Sequence, residues 1–305
     1  MSAAVLRLGT RRSRLALAQS GQVAAALEAA HPGLRVELVP IVTRGDRLRG
    51  DLARHGGKGL FTAELERGLA DGSLDLAVHS LKDLPVSPPP GLVVAAYPPR
   101  ADPRDVLVSE IAGDLAGLPA GAVLLTGSLR RRAQILACRR DLEVRPLRGN
   151  VDTRLRRWRR SGAGGVILAA AGLARLGVGD LPAHPLDPSL VLPAPGQGIL
   201  ALQVRAGGRA EALCRVLDHP PTVRAAVAER RIVAALGGDC TLPLAAWAEA
   251  GDGGAIHLRA LLATADGERL ARGEARGEEP EAVAAACLDA LERDGARAVL
   301  EALRA

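Results

Sequence analysis

The sequence predicts an α/β protein with two α/β domains followed by a smaller α+β domain. Three observations carry this. Strand-length apolar runs alternate with helix-length amphipathic segments over roughly the first two thirds of the chain. Glycine and proline punctuate those segments. In the last third, three alternating segments follow one another through tight Gly/Asp turns, the pattern of an antiparallel meander. A chain of 305 residues has room for two or three such domains.

In the first unit, residues 5–9 read as a short buried strand. Residues 13–30 read as a helix ended by His31, Pro32 and Gly33. A strand over 34–42 leads into a glycine-rich basic loop, 44–59. A helix over 61–70 and a strand over 74–79 follow, and Ser80, Leu81, Lys82 and Asp83 lie just past that strand. Pro85, Pro88, Pro89 and Pro90 enforce an irregular connection before a strand at 91–96.

The second unit has a strand at 122–126, with Ser128 as N-cap of a helix to about Arg140. A strand at 143–146, a helix at 150–160 and a strand at 165–170 complete it. Pro193, Pro195, Gly196 and Gly198 mark a crossing into a strand at 199–204. The last third holds a helix at 222–236, strands at 241–250, 255–264 and 268–277, and helices at 280–293 and 296–305. No internal repeat is legible in the residues themselves.

The formal net charge is +6, which favours an anionic partner. One Phe, one Tyr and two Trp are too few for stacking on single-stranded nucleic acid. No run of about 18 apolar residues offers a membrane span. The first residues lack a signal-peptide pattern, so the expected location is cytoplasmic. The histidines and cysteines show no metal-ligand spacing, so no metal is expected.

Ligands of open α/β sheets bind beyond the carboxyl ends of the strands. That rule selects four predominantly polar stretches, 10–14, 44–58, 80–83 and 126–132, three of them strongly basic. The densest feature is an arginine series from Arg130 to Arg160. A solvated basic face explains those on outward helix positions. It explains Arg130, Arg131, Arg148 and Arg154 less well, and for Arg130 and Arg131 a cation in a helix's first turn opposes the macrodipole. Guanidinium groups grip carboxylates with two prongs and the first turn of a helix favours anions, so an anionic ligand is the other reading there.

Cys138, Cys214 and Cys287 sit in apolar helical contexts. Cys240 differs, lying in the loop Gly237, Gly238, Asp239 between helix and strand, where function and structure are equally good readings. Asp83 beside Lys82 is either an ion-pair partner or a general acid and base. A loose dinucleotide pattern at Gly196 precedes a strand, and Gly56 to Gly59 lacks the rest of a phosphate loop, so both are set aside.

Taken in order, these segments resemble porphobilinogen deaminases. The resemblance runs from about Val5 to Leu303. It is carried by Thr10-Arg11-Arg12-Ser13, Val42-Thr43-Arg44-Gly45-Asp46 and Gly56-Gly57-Lys58-Gly59-Leu60-Phe61. Ala77 to Pro85, Ser128-Leu129-Arg130-Arg131, Leu147 to Val151, Thr153-Arg154-Leu155, Pro195 to Gly198 and the loop around Cys240 complete it.

The resemblance implies two periplasmic-binding-protein-like (type II) α/β domains, 1–98 with 199–217 and 103–193. A C-terminal α+β domain, 220–305, would have a three-stranded antiparallel sheet and carry the cofactor cysteine. It implies a transferase of tetrapyrrole and haem biosynthesis with a dipyrromethane cofactor attached through Cys240. Four porphobilinogen molecules would be deaminated and joined head to tail on it, and linear hydroxymethylbilane released by hydrolysis. Asp83 would protonate the departing amine, stabilise the cationic azafulvene and assist pyrrole deprotonation. Lys82, Asp83, Ser128, Arg130 and Arg131 would hold the cofactor. Arg11, Ser13, Lys58, Arg148, Arg154 and Gln197 would contact substrate, Arg54 would face the same cleft, and Gln197 would contact a pyrrole ring or act in hinge motion. A cytoplasmic monomer with no nucleic-acid or membrane partner is expected.

The chain departs from the family pattern in three places: Gly127 where a second hydroxyl residue is common, Gly237-Gly238-Asp239 before the cysteine, and Arg54 where lysine is common. The competing reading is a non-enzymatic two-lobed anion-binding protein, which leaves Cys240 and the third domain without a role. A nucleic-acid-binding protein would leave Lys82 and Asp83 unexplained.

Overall fold

A computed structural model describes residues 4–47, 59–237, 242–251 and 254–304. The chain forms two compact units, 1–100 with 199–223 and 101–198 with 224–305. Cys240, Lys58 and Arg54 lie outside the described residues, as do Gly238 and Asp239.

The first unit is built on a five-stranded sheet of β1 (Ala4–Arg11), β2 (Leu34–Ile41), β3 (Leu76–Ser80), β4 (Leu92–Ala96) and β10 (Leu200–Arg205). Its order is β2-β1-β3-β10-β4. β1 is parallel to β2 and β3, whereas β10 is antiparallel to β3 and β4. Helix α1 (Arg14–Ala30) is capped by Ser13, whose hydroxyl accepts from Ala16 N. Its buried face, with Val23 and Leu27, packs on Leu6, Leu8, Leu76 and Leu202 of the sheet. Each such side chain contributes about 1.5–3 kcal/mol by leaving water.

The second unit repeats the plan with β5 (Asp105–Val108), β6 (Val123–Leu125), β7 (Glu143–Arg145), β8 (Gly165–Ala169) and β9 (Ala183–Pro185). The order is β7-β6-β8-β5-β9. β6 is parallel to β7 and β8, and β5 is antiparallel to β8 and β9. In both sheets three parallel strands run second-first-third, followed by an antiparallel strand that begins just after the chain enters the unit. The shared order is a repeat of topology that the residues do not display.

The second unit also holds a three-stranded antiparallel sheet of β11 (Leu244–Ala250), β12 (Ile256–Ala263) and β13 (Leu270–Gly277). Helices α8 (Pro220–Ala235), α9 (Pro280–Arg293) and α10 (Ala296–Arg304) accompany it. Their core is aliphatic, with Ile232, Leu258, Leu262 and Leu291 fully buried. Among the described residues, no helix is long and apolar enough to cross a membrane.

Several short elements escape the periodicity argument. β5 and β9 are too short to show alternation, and α6 (Ala170–Leu176) and α7 (Arg209–Cys214) span two turns or less. The start of the expected basic loop is a one-turn helix, α2 (Arg44–Arg47), ahead of α3 (Ala63–Ala70).

Candidate functional site

In the first unit, parallel pairing brings the carboxyl ends of β1, β2 and β3 to one edge of the sheet. Arg11 ends β1, Asp46 lies in the turn after β2, and Lys82 and Asp83 follow β3. Leu81 is buried and its N–H donates to Ile199 O at 3.0 Å, which anchors the 3-10 turn Leu81–Asp83. Lys82 and Asp83 themselves are exposed.

The Arg11 guanidinium donates to Asp46 through Nη2 at 2.5 Å and lies 4.1 Å from the Phe61 ring centroid. Burial alone would raise the Asp46 pKa. The hydrogen bond and charge of Arg11, with the hydroxyl and N–H of Thr43, outweigh that and hold the carboxyl below its ordinary range. His79, in the strand that delivers Lys82 and Asp83, is buried and bonded to Gln203 Oε1 at 2.9 Å. Burial, with the charge of Arg11 acting the same way, pushes its pKa down to about 4 against the Gln203 hydrogen bond, so the ring is neutral at pH 7.

In the second unit, Ser128 and the first turn of α4 (Leu129–Cys138) follow β6, and Arg148 lies in the connection from β7 to α5 (Val151–Ser161). Antiparallel β5 starts at this same edge, pairing Asp105 with Ala169 at the end of β8. Asp105 is fully buried and takes Arg130 Nη2 on Oδ2 and Arg131 Nη2 on Oδ1, each at 2.7 Å. Burial opposes its charge, but Arg130, Arg131 and Gln197 overcome this and keep the carboxyl far below its ordinary pKa. The other arms reach Leu192 O from Arg130 and Ile167 O from Arg131.

Gln197, expected in a substrate contact or a hinge, is buried, and its Nε2 donates to Asp105 Oδ1 and Pro103 O, both at 2.7 Å. Ser128 caps α4 by accepting from Arg131 N. A serine that caps uses its acceptor and keeps its O–H to donate, and the same holds for Ser13. Arg148 is exposed. Arg154, on α5, donates from Nε to Gly149 O at 2.7 Å.

Gly127 has a packing explanation. A Cβ there would stand 2.5 Å from Leu147 O, closer than real contacts allow. The other cysteines divide by environment. Cys214 and Cys287 are buried thiols pushed up to about 12 by burial, whereas Cys138 is exposed at the end of α4.

Asp46 and His79 lie inside the segments that carry the resemblance but were given no role, and Asp105 was passed over. Its trace in the sequence is an acid opening an otherwise apolar run, Val106-Leu107-Val108.

Comparison with known proteins covers nearly the whole chain. A family model described as porphobilinogen deaminase, dipyromethane cofactor binding domain, matches residues 6–212, and one described as porphobilinogen deaminase, C-terminal domain, matches 223–293. A porphobilinogen deaminase of Paraburkholderia phytofirmans is 47% identical over 308 residues, covering 98% of this chain and 90% of that protein. One of Moorella thermoacetica is 45% identical over 304 residues, covering 98% and 97%. Among solved structures, the methionine binding protein MetQ matches with a TM-score of 0.44 at 11% identity, over 70% of this chain and 89% of that one.

Proposed function

The chain belongs to the porphobilinogen deaminase family, and we propose that it is the transferase that builds linear hydroxymethylbilane from four porphobilinogen molecules. The observation that carries this is the extent of the match, with both family domains present and 98% of the chain aligned. Each addition forms one carbon–carbon bond and releases one ammonia, and water releases the finished chain. A two-lobed anion-binding protein without catalysis is not favoured, because the curated relatives are deaminases by name.

The residues present fit a dipyrromethane. Its carboxylates need convergent cationic donors, and Arg130 and Arg131 supply two guanidinium groups against one carboxylate, Asp105. The Nε–H of each is buried with no hydrogen-bond partner, so donor capacity remains. When bound, the dipyrromethane supplies the pyrrole end on which the chain grows. We assign its attachment to Cys240 and its carboxylates to Lys82, Ser128, Arg130 and Arg131.

Asp83 is the acid–base residue of this proposal. Its exposed carboxyl on an anchored turn can give a proton to a departing amine and later take one from a pyrrole carbon. Arg11, Ser13, Lys58, Arg148 and Arg154 are assigned to carboxylates of the substrate and the growing chain. The Phe61 ring and Asp46 hold the Arg11 guanidinium in one orientation. Both Nε2 donors of Gln197 are in use, which favours the hinge-side role over a substrate contact.

The proposed domains are 1–98 with 199–217, 103–193, and 220–305. The protein is proposed to work as a cytoplasmic monomer, without nucleic-acid or membrane partners. Its three described cysteines are free thiols, as expected in a reducing compartment. The function is tested by incubating the protein with porphobilinogen. Ammonia and porphobilinogen should change one for one, with a linear tetrapyrrole as product. Porphobilinogen left unconsumed would contradict the assignment.

A further inference from the structure

Arg130, Arg131 and Asp105 form a closed charge cluster with a positive sum. The side chains of both arginines are no more than 6% exposed and that of Asp105 is fully buried. Each guanidinium holds one Asp105 oxygen. Gln197 Nε2 adds a third donor on Oδ1, and Gln134 braces the neighbouring backbone by bonding both the N–H and the carbonyl of Leu192. Within this cluster, the Nε–H of Arg130 and that of Arg131 are buried without a hydrogen-bond partner among the described residues.

Two guanidinium groups this close repel one another, and burial removes the water that would screen them. A single carboxylate between them makes the pair tolerable yet leaves one unit of positive charge. It also occupies the donors that any further carboxylate must share. We infer that Asp105 is the internal counter-ion of the cofactor-carboxylate site: a positioning residue that holds Arg130 and Arg131 side by side and limits how much the apoprotein depends on the cofactor's charge. This rests on the proposed binding of cofactor carboxylates by Arg130 and Arg131.

A counter-ion differs from a packing residue in how its loss depends on the cofactor. Losing the Asp105 charge should harm the protein most when no other carboxylate is there to replace it. The test uses apoprotein made in cells that cannot supply porphobilinogen, and the same protein reconstituted with porphobilinogen. Intact mass reports loading, and the melting temperature is measured for both forms of wild type, Asp105→Asn, Arg131→Gln and the double variant.

Asp105→Asn should load, lower the melting temperature of the apoprotein by about 5–10 °C, and lower that of the loaded form less than half as much. The double variant, with one cation removed as well, should melt higher as apoprotein than Asp105→Asn alone. If Asp105→Asn apoprotein does not fold, recovery of folding in the double variant supports the inference, and failure to recover overturns it. Equal losses in apo and loaded forms, a double variant no better than the single, or failure of folded Asp105→Asn to load also overturn it. Arg131→Gln separates the two levels. If its loading and its gap between apo and loaded forms match wild type, Arg131 does not hold a cofactor carboxylate, and the underlying assignment falls first.

Discussion

The Gln197 carboxamide nitrogen lies 2.7 Å from the Asp105 carboxylate. Through the same nitrogen it reaches Pro103 O, so the stretch around Gly196 is joined to the one that leads into β5. Gln197→Leu would leave a buried carboxylate short of a donor and a carbonyl unpartnered, at a cost of about 1–3 kcal/mol. Urea unfolding measures this. A stability equal to wild type would mean the bonds are dispensable.

Asp83 is exposed, so Asp83→Ala should leave stability within about 0.5 kcal/mol of wild type. Turnover should fall by about 10²–10⁴-fold, the usual contribution of a placed acid or base. The cofactor mass should persist, because the proposed carboxylate ligands remain. Steady-state rates with intact mass check this, and full activity would remove Asp83 from the chemistry.

Arg148 is likewise exposed. Arg148→Ala should lower kcat/KM by about 10–100-fold, as expected for one charged hydrogen bond to a carboxylate. Its unfolding midpoint should stay near wild type. Unchanged elongation kinetics would return Arg148 to the solvated surface.

Gly127 meets Leu147 O where a Cβ would sit. Restoring a hydroxyl residue with Gly127→Ser should therefore destabilise the protein by about 1–3 kcal/mol through overpacking. A neutral or stabilising result in urea unfolding would show that the backbone there can shift freely.

His79 makes stability depend on pH. In the unfolded chain the ring takes a proton near its ordinary pKa of 6.5, but in the folded chain only near 4. Between those values the unfolded state binds more protons, so this contribution is complete above pH 6.5 and falls as pH drops toward 4, by about 3 kcal/mol. Asp46 and Asp75, held below their ordinary range, act at lower pH and do not share this window. Unfolding measured from pH 7 to 4 should show the fall in wild type and lose it in His79→Gln. Parallel profiles would contradict it.

The strand ends were legible because the order of strands and helices is local, and the rule about carboxyl ends needs only that order. Ser128 as a cap and Arg130 and Arg131 as cations without a local reason came from the same local logic. Their reason is Asp105, 25 positions before Arg130, on a four-residue strand whose partners are non-local. No periodicity reports such a contact. The matching order of the two sheets was hidden similarly, because each antiparallel strand comes from a distant part of the chain.

Intact mass spectrometry reads the proposed bond between Cys240 and a dipyrromethane. The native protein should exceed its sequence mass by one dipyrromethane, and Cys240→Ser should lack that excess and turn over no porphobilinogen. An active protein at its unmodified sequence mass, or a Cys240→Ser protein that keeps the extra mass, would contradict the account.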